Sequence, residues 1–424
     1  MKAQDIQLED LYRLELKTWW TYFKSESFAF KMICLYLFTE YVRPQSIWPW
    51  LDFLPWAQLF VIGALLGLLA DPKKKWVKSP VNKWMVLFFI SILWSTYHAH
   101  YPDWSYRNLA NFYSWFVIYF LIINIVTTQQ RLLCFLAIFC VASFKISFSV
   151  TLIWAQRGFA FTSWGLKGPP GFFEDSGELA IQMAVFWPIS LAVALNLKPY
   201  LPIWKQRVLI LMPVTSGMVI LGASSRGGQL AALAQFVMRF AKQVFNLKVL
   251  VSVLLVGLLA WSFLPSEQKQ RFDDAGSDTT SKIRLLYWEH GFEMLNDHPF
   301  TGVGYFNFIP YYADNYLPYV PFPNNELAHN IFVQVGADLG YTGLVIYIAT
   351  IFSGLLLVRR IKMRSKGLSQ YPIFKIVSVF NVSFVGFLIA GQFVSVVYYP
   401  FMWIHLAFCS VAYSLFHSDV RSRQ

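Results

Sequence analysis

Runs of apolar residues about as long as a bilayer is thick recur from one end of this chain to the other. A helix needs roughly 20 such residues to cross the hydrocarbon core. Approximate runs fall at 27–42, 55–70, 82–98, 108–126, 132–154, 178–196, 207–223, 227–245, 247–264, 340–358, 373–391 and 398–416, the first interrupted by Lys31 and Glu40. Lipid offers no partner to a bare backbone N–H or C=O, so segments of this kind are helices. The sequence therefore predicts an all-α polytopic membrane protein of about 12 transmembrane helices, with short hairpin connections and one large loop between helices 9 and 10. Composition agrees: of 424 residues 56% are hydrophobic, 19% aromatic and only 14% charged. The organisation reads as an N-terminal bundle of nine helices over 1–264, an outer loop with an amphipathic helix over 265–328, and three C-terminal helices within 329–424.

Loop charges orient the bundle. With the N-terminus in the cytoplasm, DPKKKWVKSP (71–80), NLKPYLPIWKQR (196–207), RFAKQVFNLK (239–248), RRIKMRSKG (359–367) and the tail RSRQ all lie inside. Inside segments then hold roughly 22 Lys and Arg against roughly 9 outside, as the positive-inside rule requires. Both termini are thus expected in the cytoplasm. The net charge of +12 is explained by topology, because its residues are dispersed among loops and form no basic face, which argues against nucleic-acid binding. Residues 1–26 are polar and charged, so no cleavable signal peptide is expected. Cys34, Cys134, Cys140 and Cys409 sit inside apolar runs, where small packing residues are expected rather than disulfides or metal ligands.

The same orientation exports three segments: the 155–177 loop AQRGFAFTSWGLKGPPGFFEDSG, the junction SSRGG (224–228) and the long stretch from Pro265 to Ala328. Within the last, SKIRLLYWEHGFEML (281–295) places Ile283, Leu286, Tyr287, Met294 and Leu295 on one helix side, as for an element lying on the outer membrane face. HPFTGVGYFNF (298–308) has the punctuation of a compact turn. From Ala328 to Arg360 a single straight helix would run roughly 50 Å, longer than the core. A break is expected near DLGYTG (338–343), leaving a short helix over Asn330–Ala337 with His329 at its N-terminal end, where free N–H groups favour an anion. At 100° per residue His329, Val333, Gly336, Gly340 and Gly343 share a stripe, which is either an open groove or a close-packing face. Arg226 interrupts two apolar runs, and Arg284 stands in the outer amphipathic segment. Each is a phosphate-binding fork or half of a structural ion pair with Asp175, Glu178 or Asp338.

His329, Asn330, nine intervening residues, Gly340, two more and Gly343 resemble the histidine-led motif of the bacterial O-antigen ligase superfamily. That group includes Wzy-type polymerases and bacterial O-oligosaccharyltransferases. SSRGG around Arg226, then Arg284, Trp288, Pro299, Gly302, Gly304 and Phe308 follow in the order of that family's outer loop, so the likeness covers roughly 220–345. GFFEDSGELA (171–180) departs from the asparagine-proline-asparagine sequence of many relatives, and no role is carried over to Glu174, Asp175 or Glu178. The resemblance implies a membrane-embedded glycosyltransferase that takes a glycan from undecaprenyl diphosphate at the periplasmic face and needs no metal or cofactor. Arg226 and Arg284 would hold the diphosphate and His329 would take the acceptor proton, or serve as a simple hydrogen-bonding group. Asn330 would cap or orient, and Gly340, Gly343 and Trp288 would line the substrate site.

The acceptor implied is lipid A core for a ligase, a second glycan for a polymerase, or a protein hydroxyl for an oligosaccharyltransferase, with membrane lipids around all three. No zinc spacing is formed by His290, Asp297 and His298, and no GxxxxGK[ST] loop for ATP is present. Two other classes stay open: a secondary transporter, which would show internal repeats and midplane sites, and a non-catalytic scaffold indifferent to His329 and Arg284.

Overall fold

A computed structural model of the chain describes residues 6–72, 74–162, 164–244, 278–321, 325–364 and 370–421, with isolated positions between 245 and 277. All regular structure among the described residues is helical. Helices α1 (Leu8–Tyr12), α2 (Leu16–Ser25), α3 (Phe28–Val42), α4 (Pro44–Ile47), α5 (Trp56–Ala70), α6 (Pro80–Tyr97), α7 (Pro102–Ile125) and α8 (Gln129–Gln156) come first. Then follow α9 (Ser176–Leu197), α10 (Ile203–Gly222) and α11 (Arg226–Val244). The outer segment supplies α12 (Thr279–Asp297) and α13 (Phe308–Asn315), and the C-terminal part α14 (Ile331–Arg364), α15 (Pro372–Val377), α16 (Phe380–Ala390) and α17 (Pro400–Arg421).

Five segments are long and apolar enough to cross a membrane: Pro102–Ile125, Gln129–Gln156, Ser176–Tyr200, Ile331–Met363 and Pro372–Ala390. Helices stand at the other expected spans too, save 247–264, which lies outside the described residues. The difference from about 12 has a geometric part. With 15 residues each, α3 and α5 reach only about 22 Å, short of the roughly 30 Å core.

Two helices organise the packing. Helix α9 touches α8, α10, α11, α15 and α16, and α14 touches α6, α12, α16 and α17. Buried amides tie α9 to its neighbours, since polar groups in lipid find their partners within the protein. Gln182 of α9 donates to Ser143 of α8 (3.2 Å), and Gln235 of α11 donates to the carbonyls of Ala184 in α9 (2.8 Å) and Val382 in α16 (3.0 Å). The second pair holds α11, and with it Arg226 at the helix start, against the central helix.

A smaller apolar cluster forms an outer cap. Tyr287 and Met294 of α12, Val303, Phe308 and Tyr312 pack on Ala328, Val333 and Ala337 at the start of α14. The apolar side expected on 281–295 therefore meets α14 rather than lipid. Its Gly291 lies against Val333, and Leu295 lies against Gly336.

The break expected in DLGYTG is a kink at Gly340, whose φ of 68° and ψ of −174° fall in a region open almost only to glycine. A kink leaves backbone groups without their helical partners, and the 298–308 turn supplies them. Val303 N–H donates to Ala337 O (2.8 Å), Gly304 N–H to Asp338 O (3.2 Å), and Tyr341 N–H to Pro299 O (2.8 Å). The Asp338 side chain joins this lock, accepting from Phe308 N–H (3.2 Å) and Tyr398 Oη–H (3.1 Å). The glycines of the 302–304 motif and Gly340 are thus parts of one joint between the outer segment and α14.

Candidate functional site

His329 stands two residues before the first residue of α14, in the left-handed region at φ 49°, a conformation in which histidine is enriched among side-chain-bearing residues. Its backbone N–H donates to Ser395 Oγ (2.7 Å), and the carbonyl just before it, that of Ala328, accepts from Trp288 Nε1 (2.9 Å). Asn330 is the cap: its Oδ1 accepts from Phe332 N–H (2.9 Å) and Val333 N–H (3.3 Å). The imidazole is about one quarter exposed, and its Nε2 lies 2.9 Å from Glu326 Oε2.

That imidazole opens on a cavity of about 910 Å³. Four chain segments far apart in sequence build its walls: Trp164, Lys167, Asp175 and Glu178 from the 155–177 loop and the start of α9; Ser225 and Arg226 from the α10–α11 junction; Asp278, Arg284, Glu326 and His329 from the outer segment and its junction with α14; and Ser395 and Tyr399 from the turn after α16. Ile309, Leu327, Phe393 and Val394 add an apolar portion.

The two arginines are held differently. Arg226 faces Asp278, Nη1 to Oδ2 at 3.1 Å and Nη2 to Oδ1 at 3.4 Å, and also reaches Ser281 Oγ (3.3 Å). Asp278 is the N-cap of α12, accepting from Ser281 N–H (3.0 Å) and Ser281 Oγ–H (2.6 Å). Burial alone would push its carboxyl up, but the Ser281 bonds and the Arg226 guanidinium outweigh this and hold it well below the usual carboxylate range. Arg284, by contrast, makes no hydrogen bond to another described residue, and its Nε is buried without a partner. Burial, then the charge of Arg226, push its pKa below the ordinary guanidinium value. A buried cation beside another cation is a place where an anion is stabilised.

His329, Arg226 and Arg284 thus come together. The other sequence-stated residues do not line the cavity. Trp288 braces the backbone that carries His329, and Asn330 caps the helix and donates to Gln392 Oε1 (3.3 Å). Gly340 belongs to the joint with the 299–304 turn, where an added Cβ would stand 2.6 Å from Pro299 O. Gly343 packs against Leu339. The stripe shared by His329 and the glycines is not formed, because His329 precedes the helix and Gly340 interrupts its periodicity. Of the partners expected for Arg226, none is the one observed. Asp338 serves the joint and Asp175 opens α9, while Asp278 does the pairing.

Sequence reasoning passed over Asp278, Glu326, Ser395, Lys167 and Trp164. Asp278, three residues before Ser281 at the head of an amphipathic run, carried a capping signal. Glu326 had none, since its contact with His329 arises in a non-helical segment. His290 and His298 are elsewhere, against Tyr316 and Tyr311. Among the described residues no group of three or more His, Cys, Asp or Glu side chains is placed to hold a metal ion.

Two family models match the chain. Residues 211–348 match one described as O-antigen ligase, and residues 21–196 match one described as a family of unknown function. No curated protein matches it.

Proposed function

Because the chain belongs to the O-antigen ligase superfamily by its residues 211–348, we propose that it transfers a glycan from undecaprenyl diphosphate to an acceptor hydroxyl at the periplasmic face of the inner membrane. Members of that family are glycosyltransferase-like enzymes acting between a lipid-linked glycan and an acceptor. The observation that carries the reading is the meeting of His329, Arg284 and Arg226 in one cavity, with Arg284 free of hydrogen bonds to other described residues.

In this mechanism the donor diphosphate lies on the guanidinium of Arg284, whose five N–H donors match phosphate oxygens. Arg226, its charge shared with Asp278, sets the second edge of that site. The acceptor hydroxyl attacks the anomeric carbon while His329 takes its proton, and the diphosphate leaves with the electrons of the broken bond. Fixed cations matter most at that moment, when negative charge gathers on the leaving group. The apolar patch around Ile309, Leu327 and Phe393 suits the first isoprene units of the lipid. Lipid A core, as for a ligase, is the acceptor we assign, following the description of the matched family; a second glycan or a protein hydroxyl asks the same chemistry of these residues.

The test is release of undecaprenyl diphosphate from purified lipid-linked glycan by the protein in detergent, with each acceptor class added in turn. Acceptor-dependent release that falls at least about 100-fold in His329→Ala supports transfer and identifies the acceptor. Folded protein that releases nothing with authentic donor and acceptors overturns it in favour of transport or scaffolding.

A further inference from the structure

The contact between Glu326 and His329 defines more than the presence of a base. As a carboxylate, Glu326 can only accept, so the proton on the 2.9 Å contact belongs to His329 Nε2. A neutral imidazole with hydrogen on Nε2 keeps its one lone pair on Nδ1. The contact depends on a segment that is not helical. Tyr287 Oη accepts from Glu326 N–H (3.3 Å), Trp288 Nε1 holds the Ala328 carbonyl and Ser395 Oγ holds the His329 N–H, so both ends of the pair are fixed from α12 and from the turn after α16. The Tyr287 ring lies near the imidazole at a tilt of 32°, with ring centres 6.4 Å apart.

We propose that Glu326 is the positioning residue of the transfer reaction: it fixes His329 in the Nε2–H tautomer, so that Nδ1 is the atom that receives the acceptor proton. The proposal rests on the transferase reading above. As the acceptor oxygen bonds the anomeric carbon, its proton passes to Nδ1. The bond from that carbon to the diphosphate oxygen breaks with its electron pair on the diphosphate. The imidazolium, stabilised through Nε2–H by the Glu326 carboxylate, then returns the proton to water.

Charged and titratable groups surround His329. Glu326 lies on its own segment; Tyr287 and Arg284 come from α12 and Asp278 from its cap, Arg226 from α11, and Lys167, Asp175, Glu178 and Tyr399 from the remaining walls of the cavity. Tyr287 is pushed up to about 12 by burial and the charge of Glu326, so it stays neutral through the assay range.

Transfer rates of the full chain in detergent are measured from pH 5 to 9 for the wild type, Glu326→Gln, Glu326→Asp and His329→Ala. For Glu326→Gln the expected result is a fall in kcat of about 10- to 100-fold, smaller than for loss of the base, with donor KM within about two-fold. Glu326→Asp, too short to span the contact, should fall with it. Nitrogen-15 NMR of labelled histidine, with His329 assigned by its loss in His329→Ala, should report Nε2–H in the wild type and a mixed tautomer in Glu326→Gln. Unchanged kcat in Glu326→Gln, or a wild-type Nδ1–H tautomer, overturns the proposal even while the wild type transfers. A wild type that transfers nothing overturns the transferase reading instead, and the NMR result still decides the tautomer.

Discussion

Arg226 and Arg284 are the same residue type a short distance apart in one cavity, yet they are held in opposite ways. Arg226 is spent partly on Asp278, which also caps α12. Removing either partner should therefore act on stability as well as on binding. Asp278→Ala is expected to lower the unfolding free energy by about 1 kcal/mol through the lost cap, with a smaller addition from the half-exposed ion pair. The folded-state pKa of Asp278 lies below its unfolded value, so its contribution is present above the usual carboxylate range and is lost as pH falls through and below about 4. Thermal unfolding in detergent should show the wild type losing its advantage over Asp278→Ala between pH 6 and pH 3; a constant difference would refute the linkage. Arg284 has no such partner among the described residues. Arg284→Gln is expected to leave the melting temperature unchanged or raised, while donor affinity falls at least about 10-fold in a binding assay with the lipid-linked glycan.

At the scale of the element, α14 shows how one glycine can serve two purposes. Gly340 turns the helix out of line, and the groups this frees are bonded by the 298–308 turn. An alanine there must adopt a conformation closed to it and place its Cβ 2.6 Å from Pro299 O. Gly340→Ala should destabilise the protein by about 2 kcal/mol and loosen α12 from α14, measured as a lower melting temperature and faster amide exchange across 299–308. Because α12 carries Arg284 and Trp288, transfer should fall too, without either side chain being touched. Unaltered exchange in that turn would separate the kink from the joint. The break itself was legible from a helix too long for the bilayer. That Gly340 packs against a turn while Gly336 and Gly343 meet leucines, and that none opens a groove beside His329, was not, because periodicity assumes the straight helix that Gly340 ends.

For the whole molecule, the testable question is which side of the membrane the cavity faces. All four cysteines are buried, so a membrane-impermeant thiol reagent should label engineered sites against a low background. Cysteines placed at Lys282 or Asn315 should react from outside in intact cells, and ones at Lys78 or Arg360 only after permeabilisation; the reverse pattern would overturn the cytoplasmic assignment of the termini. The amino-acid order alone determined the helical class, the kink in the 338–343 stretch, the helix start at 329–330 and the three segments worth watching, because each follows from forces acting within a few residues or from the thickness of lipid. Only the tertiary structure decided that those segments meet in one cavity, that Asp278 pairs with Arg226, that Glu326 bonds His329, and that Gly340 and Gly343 serve packing. Such contacts join residues dozens to more than a hundred positions apart, or side chains on non-helical backbone, and no local periodicity encodes the distance between them.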